Sequence, residues 1–178
     1  PTVVCEGASV LYSVEGSECG IRWRVEGGHI LTNPTSNSVQ VIWDDVDDEG
    51  FGYLSAYDEC NCPLWTTVKI PVIKQIGTIL GETELCTPQQ YRYKLPQWPG
   101  TFYEWTVTNL SGTASATNVI QTDQLNEAIL SALEPGTYLL KCVYQNELTA
   151  CGGVATLTLT INESQQIAGD FVLCEGSV

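Results

Sequence analysis

One histidine and eight cysteines carry most of the reactive chemistry of this 178-residue chain. His29 follows Gly27-Gly28 in a turn that leads into a strand, and no nucleophile-elbow glycine pattern accompanies it, so a Ser-His-Asp or Cys-His centre has no frame. Carboxylates are plentiful but fall mostly on loops, where no scaffold fixes the separation that paired acid–base work requires. The sequence therefore reads as non-catalytic. The cysteines, Cys5, Cys19, Cys60, Cys62, Cys86, Cys142, Cys151 and Cys174, lack the paired CxxC spacing of a zinc site, and one histidine adds little ligation. Disulfides in an oxidising compartment are the chemistry they fit.

Two further groups can bind rather than react. In Asp44-Asp45-Val46-Asp47-Asp48-Glu49-Gly50, five carboxylates crowd one loop, a source of the several oxygen ligands that Ca²⁺ prefers, with Gly50 available to turn the backbone. The spacing is not that of an EF-hand, and a solvated acidic turn is the simpler state. Apart from Ca²⁺ there, no cofactor is expected. Trp65, near a predicted last strand, and Trp98, in Gln97-Trp98-Pro99-Gly100, can stack on a sugar face. Trp98 beside proline can equally pack against a neighbouring module or its own sandwich end. The sequons Asn109-Leu110-Ser111 and Asn162-Glu163-Ser164 are short enough to arise by chance.

Seven Lys and Arg against 21 Asp and Glu give a net charge of −14. Phosphate neutralisation needs cations, so nucleic acid and anionic lipid are excluded as partners, and the acidity serves solubility. No segment approaches the roughly 20 apolar residues of a membrane span, so direct membrane insertion is not expected. Neither a signal peptide nor an initiating methionine is present, which leads to the expectation of an interior piece of a longer protein.

The elements that must position these residues read as strands. Segments 9–14, 21–25, 38–43 and 66–70, then 90–94, 102–107, 137–142 and 154–161, are short, alternating and rich in β-branched or aromatic residues. Gly-, Pro-, Asn- and Asp-rich clusters such as Asn33-Pro34-Thr35-Ser36-Asn37 separate them. Segment 123–133 has the propensity of a short capped helix, but Glu134-Pro135-Gly136-Thr137-Tyr138 after it favours a strand and a sandwich corner. The chain also repeats itself. Cys5-Glu6-Gly7-Ala8-Ser9-Val10 returns as Cys174-Glu175-Gly176-Ser177-Val178, and 81–86 matches 169–174 in register. The unit, 86 − 5 = 81 to 174 − 86 = 88 residues, is the size of one small sandwich and too long for a solenoid repeat. The expected organisation is one module over 1–75, a second over 76–163, and a linker with the start of a third over 164–178. Trp23 and Trp105 recur as central core residues, and Tyr53 and Tyr138 match the place of a corner tyrosine.

The order Cys5-Glu6-Gly7, Trp23-Arg24-Val25-Glu26-Gly27-Gly28, Ser38-Val39-Gln40-Val41-Ile42-Trp43 and Cys60-Asn61-Cys62 resembles the PKD-like, immunoglobulin-like repeats of Bacteroidota surface proteins. The second unit departs from it, with Asn109-Leu110-Ser111-Gly112 in place of Gly27-Gly28 and no tryptophan opposite Trp43. The resemblance implies an all-β fold, two tandem immunoglobulin-like (PKD-like) β-sandwich modules plus the first residues of a third. It also implies long secreted arrays on the bacterial cell surface, including gliding-motility adhesins exported by type 9 secretion.

In such a sandwich the start of strand A, the B–C loop and the F–G loop gather at one end. The resemblance thus implies Cys5–Cys60 with Cys19–Cys62, or the swapped pairing, and Cys86–Cys151 in the second unit. Cys142 is then a buried free thiol and Cys174 awaits a partner in a third repeat, while Cys142–Cys151 across the F–G hairpin is the competing bridge. The expected role is a disulfide-stabilised stalk or filament whose partners are neighbouring repeats of the same chain. Surface glycans, or motility and secretion proteins, are further expected partners. The alternative is a glycan- or Ca²⁺-dependent binding module.

Overall fold

The computed structural model describes residues 3–17, 20–60, 62–110, 118–132 and 134–164; Cys19, Ser111, Cys174 and the whole segment 165–178 lie outside them. Every regular element among the described residues is a strand. The first seven are β1 (Val4–Cys5), β2 (Ser9–Ser13), β3 (Ile21–Glu26), β4 (His29–Ile30), β5 (Ser38–Ile42), β6 (Phe51–Asp58) and β7 (Cys62–Ile73). They form a four-stranded sheet β1-β7-β6-β3 facing a three-stranded sheet β2-β5-β4. The next eight repeat the plan: β8 (Ile76–Gly77), β9 (Glu84–Cys86), β10 (Gln89–Lys94), β11 (Thr101–Asn109), β12 (Asn118–Gln121), β13 (Glu127–Ala132), β14 (Gly136–Asn146) and β15 (Gly152–Asn162). Here β11-β14-β15 carries β8 and β9 at its edge, against β10-β13-β12. Both sandwiches have the sheet order of an immunoglobulin-like fold. The segment with helical propensity forms strand β13, because Ala128, Leu130 and Ala132 point alternately into the core.

Alternation explains why these residues form strands. Along β11, Thr101, Tyr103 and Trp105 are buried while Phe102, Glu104 and Thr106 are exposed. Trp105 is a core residue as expected, its indole N–H donating to Leu125 O at 3.2 Å. Trp23 is only partly buried; its N–H donates to Ser36 O at 2.8 Å, and its ring borders a cavity of about 470 Å³ with Tyr12, Ile21, Leu54 and Leu64.

The corner tyrosine is present in one sandwich only. Tyr138 is fully buried and its hydroxyl donates to Glu134 O at 3.2 Å. Trp23 pairs with Ala56, and Trp105 with Cys142, so Gly52, four residues before Ala56, is the positional twin of Tyr138, four before Cys142. Tyr53 is one residue out of phase and lies on the opposite face, with Lys69 Nζ 5.9 Å from its ring centre. The missing ring is supplied by Trp43, wholly buried, whose indole lies where a Cβ on Gly52 would be, 2.1 Å from Cζ3. Its N–H donates to Tyr12 Oη at 3.0 Å.

Strand direction overturns the disulfides expected of Cys5 and Cys86, while the bridge expected of Cys19 lies outside the described residues. β1 runs parallel to β7 with Cys5 beside Ile73, the last residue of that 12-residue strand, whereas Cys60 and Cys62 lie at its beginning. At about 3.3 Å per residue the two ends are roughly 36 Å apart, and a bridge needs Cα atoms within about 7 Å. Cys86 likewise sits beside Asn162, the last residue of β15, while Cys151 precedes its first. Neither Cys5–Cys60 nor Cys5–Cys62 nor Cys86–Cys151 forms. The bond joins Cys5 to Cys151, Cα to Cα 5.6 Å, across the two sandwiches. Cys60 is disulfide-bonded, Cys86 is free and exposed, and Cys142 is free and buried. Burial pushes the Cys142 thiol up to about 12, so it stays protonated and unreactive.

Candidate functional site

The residues that sequence reasoning singled out converge on two places, the junction between the sandwiches and one open sheet face. At the junction, Trp98 is 2% exposed, so it cannot stack on a sugar; its ring lies 5.1 Å from Tyr144 and is stacked on Tyr103 at 6.4 Å. Its indole N–H donates to Gly50 O in the other sandwich at 3.1 Å. Gly50 adopts φ +69°, and a Cβ there would lie 2.7 Å from the indole, so glycine is required twice over. The glycine that closes the acidic loop thus receives a tryptophan.

The connecting segment is held from both sides. Tyr144 donates its hydroxyl proton to Lys74 O at 2.8 Å, and Gln75 N–H donates to Glu6 Oε2 at 2.9 Å. Lys74 Nζ reaches Val46 O at 3.4 Å and Asp47 O at 3.3 Å, and Thr78 Oγ1 donates to Asp48 Oδ1 at 2.7 Å. That hydroxyl, with the Lys74 charge, holds the Asp48 carboxyl below its ordinary value. Val3 and Ile73 of the first sandwich are buried in one apolar cluster with Trp98, Tyr103 and Tyr144 of the second. The Cys5–Cys151 bond closes the junction covalently.

The acidic run does not pool its carboxylates. Asp44 Oδ1 lies 2.7 Å from His29 Nδ1, Asp47 Oδ1 accepts from Glu49 N–H at 3.0 Å, and Asp48 turns to Thr78 and Lys74. Among the described residues no three His, Cys, Asp or Glu side chains converge as metal ligands. The hydrogen bond and charge of Asp44 raise the exposed His29 imidazole above its ordinary value.

The second place is the outer face of β3, β6 and β7. Arg22, Arg24 and Glu26 pair across with Tyr57, Ser55 and Tyr53, which in turn pair with Trp65, Thr67 and Lys69. Trp65 is half-exposed, 5.4 Å from the Tyr57 ring, with the Arg24 guanidinium 6.0 Å from its own ring centre. Ser55 and Thr67 hydroxyls share a bond of 2.8 Å at the floor of a shallow depression of about 330 Å³. Three of the chain's seven cations stand on this face. Sequence reasoning named Trp65 and Trp98 but not Tyr144, Lys74 or Thr78; the signal for Trp98 was the flanking Pro99-Gly100, which can bend a loop towards a neighbour.

The fold and junction define a pair of immunoglobulin-like sandwiches joined by a covalent clamp. No protein-family model matches the chain, and no curated protein matches it. Among solved structures it is similar to murine CEACAM1b, at 14% identity over 92% of this chain and 96% of that one, TM-score 0.35. It is also similar to the PKD domain of human KIAA0319, at 16% identity over 55% of this chain and 91% of that one, TM-score 0.38. A third is the Yersinia pseudotuberculosis adhesin InvE, at 14% identity over 91% of this chain and 57% of that one, TM-score 0.32.

Proposed function

We propose that this chain is a non-catalytic, load-bearing spacer, two sandwiches clamped into one stiff unit within the stalk or filament of a secreted bacterial surface protein. The observation that carries this reading is the Cys5–Cys151 bond between the sandwiches, whose partners lie 146 residues apart. A bridge within each sandwich would stabilise that sandwich alone; one across the junction removes the hinge. Trp98 is spent on the same junction, as a stalk requires of an exposed-looking aromatic. The resemblance to Bacteroidota repeats supports an adhesin, of the gliding-motility type exported by type 9 secretion, with neighbouring repeats as its nearest partners. Small-angle X-ray scattering tests this: one elongated shape fits the oxidised chain, and Cys5→Ser broadens it to a spread of inter-module angles. An oxidised chain that needs such a spread overturns the reading.

A second reading rests on Trp65. A half-exposed tryptophan beside Tyr57 and Arg24 on a flat polar face suits stacking on a sugar ring. Under this reading the outer face of the first sandwich takes a surface glycan, and Trp65→Ala abolishes a saturable polysaccharide heat that the parent chain gives.

A further inference from the structure

Cys86 is the positional twin of Cys5. Each is the last residue of a short strand lying parallel to the final strand of its sandwich, beside that strand's last residue: Cys5 against Ile73, Cys86 against Asn162. The residue before each is buried, Val4 in one and Leu85 in the other. Cys86 is held from behind, its N–H donating to Tyr91 Oη at 2.8 Å, and its thiol is free and exposed.

Cys62, like Cys151, stands where the last strand of its sandwich begins, Cys62 as the first residue of β7 and Cys151 just before β15. Each sandwich thus carries one cysteine at the end of its short edge strand and one where its last strand begins, at opposite poles. The bond in the structure joins the edge cysteine of one sandwich to the last-strand cysteine of the next. The linker recurs too: Gln75-Ile76-Gly77, after β7, returns as Gln166-Ile167-Ala168 after β15, and Cys174 stands 88 residues beyond Cys86.

We infer that Cys86 is the donor of the next clamp, forming a disulfide with a cysteine at the start of the last strand of a following sandwich of the same kind. The spacer reading of the Cys5–Cys151 junction underlies this inference. Two thiols become one disulfide and lose two protons and two electrons, which reduce the disulfide of a thiol–disulfide oxidoreductase to its dithiol.

The test is peptide mapping of the full-length secreted protein, with free thiols alkylated first and digestion carried out without reductant. The expected result is a Cys86 peptide linked to a peptide from the last-strand start of a later sandwich, beside a Cys5–Cys151 pair. Cys86 recovered alkylated, or linked to Cys174, to any other cysteine of this chain or to another protein, overturns the inference. If that happens while Cys5–Cys151 is found, the spacer reading stands and only its extension fails; loss of Cys5–Cys151 removes both. Cys86→Ser provides the control: it deletes the later cross-link while leaving the Cys5–Cys151 peptide intact, and a variant that loses both peptides overturns the inference.

Discussion

Pulling the chain by its two ends should extend only a small part of it. Tension entering at residue 1 reaches Cys5, crosses the sulfur–sulfur bond to Cys151 and leaves through β15 towards residue 178, so the 151 − 5 − 1 = 145 residues between them carry no load. A chain extends by about 3.3–3.6 Å per residue. The full 178 residues would reach roughly 610 Å, whereas the oxidised path of 178 − 145 = 33 residues reaches roughly 110 Å. Single-molecule force spectroscopy between terminal handles measures this directly. The oxidised chain is expected to release a contour of no more than roughly 110 Å. Addition of a reductant should release roughly 500 Å more, in two unfolding steps, and Cys5→Ser should release that length less whatever the Cys60 bridge keeps closed. Chain entropy for a loop this long also sets a ceiling of about 5 kcal/mol on the bond's equilibrium contribution. An oxidised chain that lengthens by several hundred ångströms would show that the Cys5–Cys151 bond does not carry the load, and the shunt argument would be wrong.

Trp98→Ala is expected to cost about 3–5 kcal/mol in denaturant unfolding, and Trp98→Phe distinctly less because it keeps most of the ring and loses the bond to Gly50; equal costs would mean the ring is not what the junction uses. Gly52→Ala pushes a methyl into Trp43 and should cost about 1–3 kcal/mol. Trp43→Ala combined with Gly52→Tyr should recover part of the loss, and strict additivity in that cycle refutes the shared space. His29 has a raised value, so its contribution is complete below about 6.5 and fades as pH rises through the folded value. The urea midpoint should therefore fall slightly between pH 5.5 and 8.5, and His29→Gln should flatten that slope; an unchanged slope removes the Asp44 pair from the account. Because Asp44, Asp47 and Asp48 each have local partners, calorimetric titration with Ca²⁺ should give no saturable heat and a chelator should leave the thermal midpoint unmoved. A saturable heat would restore a cation site.

The strands were legible because alternation is a property of neighbouring residues: β3, β5, β10 and β13 fall where apolar side chains recur every second position. Pairing of cysteines was not legible in the same way. Cys5 looks like the start of a first strand, but it ends a short edge strand, and that difference places it at the opposite pole from Cys60. The twin relation of Cys5 with Cys86 depends on strand register, which the sequence alone does not fix. Tyr53 misled for a related reason, since a slip of one residue moves a side chain to the other face. The acidic run was visible as composition, but His29, Thr78 and Lys74, which divide it up, come from distant parts of the chain.

Tandem domains of similar sequence are prone to exchange strands with their neighbours while they fold. The trade between Gly52 with Trp43 and Tyr138 works against that error. A hybrid that brought the region of Trp43 together with β14 would put an indole and a phenol into one space, and the reciprocal hybrid would leave Gly52 facing a hole the size of an indole. Each sandwich therefore rejects the other's strands, and the divergence between the two acts as proofreading while the chain folds.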